Sequence, residues 1–330
     1  MPVPLKAGEV LRGRYKIRRI IGQGGMGSIY LADDLRLEGR LCALKEVEHD
    51  RSLPADLLRE AREQFQREAV VLARLDHPNL PKVSDFFSIG SRDYLVMDYI
   101  PGKDLRTLMI EARHAGKFLE ESDVLNWSSQ LADALTYLHI QDPPILHRDI
   151  KPSNLKLTPN GLVKLVDFGL VKLLAPGEVT ITILQGQGTA LYTPLEQYGG
   201  DSGHTDARTD IYAFGATLYH LLTNQPPADA RERFLDPDRL IPPRQINPDI
   251  STRTEKAILW AMALHPADRP QSVEIFRESL LGNYQPIIRP AAATRQAQSL
   301  ARYLQRDPER ILLWVAAGLG IISLLATFVR

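Results

Sequence analysis

Between Leu146 and Leu170 the chain reads LHRDIKPSNLKLTPNGLVKLVDFGL, and this stretch constrains the fold more than any other. The runs NLKL and LVKLV flank the turn residues TPNG, and the Asn160-Gly161 pair is a hairpin signal. A hairpin returns its two ends to one side. It therefore brings Asp149 and Asn154, before the turn, to the same mouth as Asp167, after it. Two carboxylates and an amide gathered there offer a proton acceptor and hard oxygen ligands.

A second stretch, IGQGGMGSIY at 21–30, has glycines at 22, 24, 25 and 27 and so reads G-x-G-x-x-G. That spacing serves two different turns. One leads from strand to helix beneath a pyrophosphate in dinucleotide-binding folds; the other leads from strand to strand over the phosphates of ATP. In SIYLADD, Ile29 and Leu31 alternate with Ser28 and Tyr30, which is a strand pattern rather than a helix start. Glu46 or Glu48 could imitate the ribose-binding acid of a dinucleotide site. However, LCALKEV places Leu41, Ala43 and Lys45 on one face, an apolar surface ending in a cation. That surface suits an adenine and a phosphate. The following helical stretch turns Phe65, Ala69, Leu72 and Leu75 inward, with Glu68 on the same face. A buried carboxylate needs a partner, and Lys45 is the natural one.

Five strand-like runs occupy residues 15–100: YKIRRII, SIYLA, LCALKEV, VSDFFSI and YLVMDYI. One long helical stretch lies between the third and fourth. From about residue 104 the pattern turns helical. Trp127, Leu131, Leu135 and Leu138 form one stripe, and Ile211, Gly215, Leu218 and Leu222 another. The expected fold class is α+β and bilobal, with a small five-stranded β lobe (about 15–100) and a larger helical lobe (about 101–281). Residues 1–14 are expected to be an extension.

His147-Arg148-Asp149 with Asn154 five residues on, then Asp167-Phe168-Gly169, match the paired signatures of phosphoryl-transfer enzymes. With these in place the sequence resembles the eukaryotic-like (Hanks-type) protein kinase family across about 15–281. Lys151 and the overall wording look most like the bacterial membrane-anchored serine/threonine branch. The resemblance implies ATP and Mg²⁺, with Mn²⁺ as an alternative. It implies that Ile21, Gly22, Gln23, Gly24, Gly25 and Gly27 form a lid over the phosphates. Lys45 would hold the α/β-phosphates and be oriented by Glu68. Ile29, Ala43, the gatekeeper Met97 and the hinge Asp98, Tyr99 and Ile100 would enclose the adenine. Asn154 and Asp167 would ligate the metal, Asp149 would accept or orient the substrate proton, and Lys151 would neutralise the transferring group. Asp210 is implied as a structural anchor of the catalytic loop. Glu196, in a segment whose proline is displaced by one place (Pro194-Leu195-Glu196), is expected to pair with Arg269. Thr180 and Thr182 are candidate autophosphorylation sites facing Arg148, and Thr189 is implied to contact the catalytic aspartate.

At the other end, ILLWVAAGLGIISLLATFV at 311–329 is nineteen residues without a charge. It would span roughly 28 Å as a helix, close to a hydrocarbon core of about 30 Å. Residues 282–310, with their prolines and scattered arginines, are expected to be a juxtamembrane linker. Arg289, Arg295, Arg302, Arg306 and Arg310 precede the span and only Arg330 follows, which places the kinase lobes on the cytoplasmic side. If the chain ends there, no extracellular sensor domain is expected. Ala316 and Gly320 offer a small-xxx-small pair for a homodimer. Lys+Arg and Asp+Glu both total 40, so no bulk basicity points to nucleic acid, and the lone Cys42 excludes a disulfide framework. The opening MPVPLKAGEVLRGRYK has no apolar core of a secretory signal. The expected partners are proteins carrying Ser/Thr, and membrane lipid. Two rival readings are a nucleotide-binding scaffold without catalysis and a kinase acting on a small molecule.

Overall fold

The computed structural model describes residues 4–24, 27–48, 54–167, 190–198 and 205–282. Gly25, Thr180, Thr182, Thr189, the span at 311–329 and all of the linker beyond Gly282 lie outside these residues. Among the described residues no helix is long and apolar enough to cross a membrane.

The small lobe is an antiparallel sheet of β1 (Val10–Leu11), β2 (Tyr15–Gly24), β3 (Gly27–Asp34), β4 (Leu41–Glu48), β5 (Val83–Ile89) and β6 (Arg92–Asp98). Their order is β1-β2-β3-β4-β6-β5. It has six strands where five were expected. The extra strand is Val10–Leu11, which pairs with Lys16 and Tyr15 inside the segment read as an extension. Two residues are too short to carry a period. The turn that folds them back uses Arg12 and Gly13 in left-handed conformation, φ 51° and 61°.

β4 lies at the centre, and both of its faces are buried. Ala43 and Val47 join Phe65, Ala69 and Leu72 of α1 (Ala55–Arg74) and Leu75 just after it. Cys42 and Leu44 join Tyr15, Ile17, Tyr30, Phe87, Tyr94 and Val96 on the other side. There the Phe87 ring stacks between Tyr15 and Tyr94, at centroid distances of 5.7 and 5.2 Å. The turn after α1 is fixed to the large lobe by Asn79. Its carbonyl accepts from Leu165 N at 2.8 Å, and its Nδ2 donates to the Val163 carbonyl at 2.7 Å.

The large lobe holds α2 (Leu105–His114), α3 (Glu121–His139), α4 (Ala207–Thr223), α5 (Ala230–Leu235), α6 (Pro243–Ile246), α7 (Thr252–Ala261) and α8 (Val273–Leu281). A small sheet, β7 (Lys103–Asp104), β8 (Leu155–Leu157) and β9 (Val163–Leu165), lies at its top. On α3 the expected stripe is buried at Leu131, Leu135 and Leu138, with Trp127 at its edge. α4 differs from its expected single stripe: from Thr209 to Thr223 every residue except His220 is buried. It is the axis of the lobe, with α3, α7 and α8 packed around it. Gly215 permits the approach of α7, since a Cβ there would sit 2.8 Å from Ala261 Cβ.

Arg269 ties the far side of this lobe together. It is the largest fully buried side chain among the described residues and donates to Glu196 Oε1 and Oε2 at 2.6 and 3.0 Å. It also donates to the carbonyls of Ala263, Leu264 and Arg208 at 2.7, 2.9 and 3.0 Å. Every guanidinium nitrogen is used, and the expected Glu196–Arg269 pair is present. Replacing Arg269 with Ala strands a nearly buried carboxylate, which costs about 3–5 kcal/mol. Urea unfolding of Arg269→Ala should show that loss, with Arg269→Lys recovering only part of it because an ammonium cannot make the bidentate contact. A loss of under about 1 kcal/mol would contradict this role.

Candidate active site

The hairpin forms where the sequence places it. Leu155 pairs with Leu165 and Leu157 with Val163. Between them Gly161, at φ 81°, donates to the Thr158 carbonyl at 2.9 Å, and Thr158 N donates to the Leu162 carbonyl at 2.9 Å. Leu155, Val163 and Leu165 are buried and hold the two strands on the core. At the open end Val166 N donates to the Asn154 carbonyl at 2.8 Å, so the segments carrying Asn154 and Asp167 are directly joined.

Three side chains gather before the hairpin. Lys151 Nζ lies 2.8 Å from both oxygens of Asp149. Asn154 Nδ2 donates to the Asp149 carbonyl at 2.8 Å and to its Oδ2 at 2.9 Å, and its amide oxygen lies 3.5 Å from Ser153 Oγ. After the hairpin, Asp167 sits in left-handed conformation (φ 58°) and its Oδ1 is in contact with Lys45 Nζ. Burial works against the ionised Asp167, but the charge and hydrogen bond of Lys45, helped by Lys151, hold its pKa below the usual carboxylate range. Asn154 and Asp167 thus carry hard oxygens on two segments that meet at the open end of the hairpin. Among the described residues no three His, Cys, Asp or Glu side chains cluster as a metal cage. Two protein oxygens do fit an ion that takes its remaining ligands from phosphates and water, as Mg²⁺ does.

Beneath the loop lies Asp210, near the start of α4 and fully buried. Its carboxylate accepts from His147 N at 2.9 Å and Arg148 N at 2.8 Å, and His139 Nε2 lies 2.9 Å away. Burial alone would raise the pKa of Asp210. These partners, His139 foremost, bring it below the ordinary value instead. Arg148 is held at φ 60°, with its Nη2 donating to Thr205 Oγ1 at 2.9 Å. Burial pushes the pKa of the His147 imidazole below its ordinary value, against the pull of Asp210.

On the small lobe, the sequence pairs Lys45 with Glu68. Lys45 contacts Asp167, and Gln64 Nε2 donates to Glu68 Oε1 at 2.9 Å. Glu68 is buried on α1 as its stripe requires. Gly24 pairs with Gly27 where β2 turns toward β3, and Ile29 lies opposite Lys45. Gly27 is required for a reason other than approach to a phosphate. At φ 144°, a Cβ there would sit 2.1 Å from the Glu46 carbonyl oxygen. At Gly22 an added Cβ meets only the Ile29 side chain, at 3.4 Å. Ala43 pairs across β4–β6 with Met97, and both are buried; Asp98, Tyr99 and Ile100 follow at the edge of the lobe.

Sequence reasoning missed His139, Thr205 and the Tyr192–His220 contact, in which Oη lies 2.6 Å from Nδ1. Burial pushes the His220 pKa down to about 4. None of these side chains has a spacing that marks it. Each matters because the fold sets it against a residue that the sequence does mark.

Asp210→Asn separates charge from shape. A carboxylate whose folded pKa is depressed adds stability above its unfolded value, about 3.9, and loses it as pH falls through the folded value. Asp210→Asn should therefore unfold at lower urea at pH 7, by about 1–3 kcal/mol. That gap should narrow as pH is lowered through about 4. A gap independent of pH would show that the charge contributes nothing.

The protein kinase domain family matches residues 15–281. A probable serine/threonine-protein kinase of Clostridium acetobutylicum is 35% identical over 280 residues, covering 83% of this chain and 40% of its own length. Serine/threonine-protein kinase PrkC of Bacillus subtilis is 33% identical over 275 residues, covering 81% and 40%. The chain therefore spans about two-fifths of the length of these curated relatives. The crystal structure of the PknI kinase domain of Mycobacterium tuberculosis superposes with a TM-score of 0.65 at 30% identity, covering 85% of this chain and 99% of its own. With the hairpin, the paired acidic ends and the anchored loop already in place, the chain belongs to the protein kinase family.

Proposed function

We propose that this chain is a bacterial serine/threonine protein kinase that transfers the γ-phosphoryl group of ATP to protein Ser/Thr hydroxyls. The observation that carries this reading is the meeting of Asp149, Lys151 and Asn154 with Asp167 and Lys45 at the mouth of one hairpin. Phosphoryl transfer asks a protein for positioning and charge, and little covalent work.

Lys151 lies on both oxygens of Asp149, so one spot presents an acceptor and a cation. Asp149 takes or orients the proton of the attacking hydroxyl, while Lys151 meets the transferring phosphoryl group. Lys45 emerges on the cleft side of β4 and binds phosphate oxygens there, with Gly22, Gly24 and Gly27 of the β2–β3 turn closing above. Ile29, Ala43 and Met97 offer the adenine an apolar wall, and backbone groups of 98–100 pair with its edge. Asn154 and Asp167 would hold Mg²⁺ or Mn²⁺, which supplies positive charge shared with the phosphates. The activation-segment threonines Thr180 and Thr182 are the proposed autophosphorylation sites, with Arg148 as the cation that receives the phosphate.

Radiolabelled ATP tests the assignment. Asp149→Asn and Lys45→Met should each lower label transfer at least about a hundredfold, with peptide mapping of the wild type placing label on Thr180 or Thr182. Equal incorporation by all three proteins would refute the catalytic assignment of Asp149 and Lys45. No incorporation by the wild type would favour the non-catalytic scaffold, and an unmodified segment in a fully active enzyme would remove the regulatory part.

We further propose that 311–329 anchors the chain in the cell membrane by a single span, with the kinase lobes cytoplasmic and Ala316 and Gly320 supporting a homodimer. Nineteen uncharged residues flanked by arginines on one side support this. The full chain should sediment with membranes and resist carbonate extraction, whereas residues 1–282 should not. Carbonate release of the full chain would refute the span.

A further inference from the structure

The small sheet above the large lobe carries charge that phosphoryl transfer leaves unused. In its register Asp104 lies opposite Lys156, and Lys156 opposite Lys164. Leu155, Leu157, Val163 and Leu165 pack toward the core of the large lobe. Side chains alternate along a strand, so Asp104, Lys156 and Lys164 share the other face. That face is turned to the hinge: Lys156 Nζ lies 5.7 Å from the centroid of the Tyr99 ring. Asp98 acts electrostatically on Lys164, and Arg19 of β2 acts on Lys156. The head group of Lys156 therefore lies between the lobes.

Lys164 is tied down, donating to the Leu80 carbonyl at 3.1 Å. Asp104 caps α2, accepting from Thr107 N and Oγ1 at 2.8 and 3.0 Å. Lys156 is half-buried and, among the described residues, makes neither an ion pair nor a hydrogen bond; its partner is the face of Tyr99. Burial pushes its pKa below the ordinary lysine value; Asp104 opposes that shift and the like charge of Arg19 adds to it. A partly desolvated ammonium facing a cleft costs free energy until something polar covers it.

We propose that Lys156 is a nucleotide-recognition residue, a cation in the floor of the site that meets the base and sugar of the bound nucleotide. This rests on the ATP reading of the site. A purine offers a π face and ring-nitrogen acceptors, and a ribose offers hydroxyl oxygens; an ammonium takes all three. Two lysines then divide the ligand. Lys45, beside Asp167, takes the phosphate end, and Lys156, beside Tyr99, takes the nucleoside end.

ATP whose ribose has been oxidised to the 2′,3′-dialdehyde tests this on the intact protein. A neighbouring lysine condenses with an aldehyde carbon, releasing water, and borohydride reduces the imine to a stable amine. Peptide mapping should find label on Lys156, and excess Mg·ATP should suppress it. By calorimetry Lys156→Met should bind Mg·ATP roughly tenfold more weakly, and Lys156→Arg should stay near the wild type. ATP-protected label on Lys45 alone, or unchanged or tighter binding by Lys156→Met, overturns the assignment while leaving ATP binding intact. Wild-type protein that takes up no Mg·ATP in the calorimeter overturns both readings.

Discussion

A fully buried carboxylate that accepts two backbone N–H groups supports everything at the mouth of the site. Asp210 holds the amides of His147 and Arg148, and it does so from the helix most completely enclosed by the large lobe. The loop above it includes a left-handed arginine, a conformation that costs free energy unless its surroundings fix it. Fixing it there aims Asp149, one residue later, away from the core and toward Lys151 and Asn154. The cost of burying Asp210 is met by three polar partners rather than by one counter-ion, so orientation and compensation come from the same contacts.

The mouth itself is a set of opposite charges within hydrogen-bonding distance of one another. Lys151 lies on Asp149 and Lys45 on Asp167. Each cation that a triphosphate would engage is already balanced by a carboxylate. Neither positive charge stands isolated in a partly buried cleft, and Asp167 remains ionised. The same logic separates Lys156 from the other two lysines: its neighbour across the strand pair caps a helix, and its nearest surface is an aromatic ring.

Much of this was legible in the sequence where local chemistry and tertiary need coincide. Asn160-Gly161 makes a hairpin wherever it falls between strand formers, so the gathering of Asp149, Asn154 and Asp167 followed from spacing. The inward stripe of α1 placed Glu68 correctly, because helical periodicity is strict and the stripe is buried. Reading became weaker where burial is two-sided. LCALKEV looks like one apolar face, yet Cys42 and Leu44 are buried as fully as Ala43, because β4 is central and covered on both sides. α4 misled in the same way, its stripe being one sector of an enclosed cylinder. β1 buries only Leu11 of its two residues, and one buried position leaves no pattern to read. The packing demand on Gly27 is hidden for a related reason. It comes from the carbonyl of Glu46 on a neighbouring strand, which the G-x-G-x-x-G spacing does not encode.

Asn79 has a mechanical consequence. By joining the turn after α1 to the edge of β9, it pins the C-terminal end of that helix to the strand that leads into Asp167. The helix is then a lever with its fulcrum beside the catalytic mouth. At 1.5 Å per residue, Glu68 sits roughly 10 Å from the fulcrum and the first turn of the helix roughly 30 Å away. A swing that carries Ala55 through about 3 Å displaces Glu68 by only about 1 Å. Force applied at the outer end of α1 would thus reach the buried glutamate geared down about threefold, as a fine adjustment of its distance to the cleft.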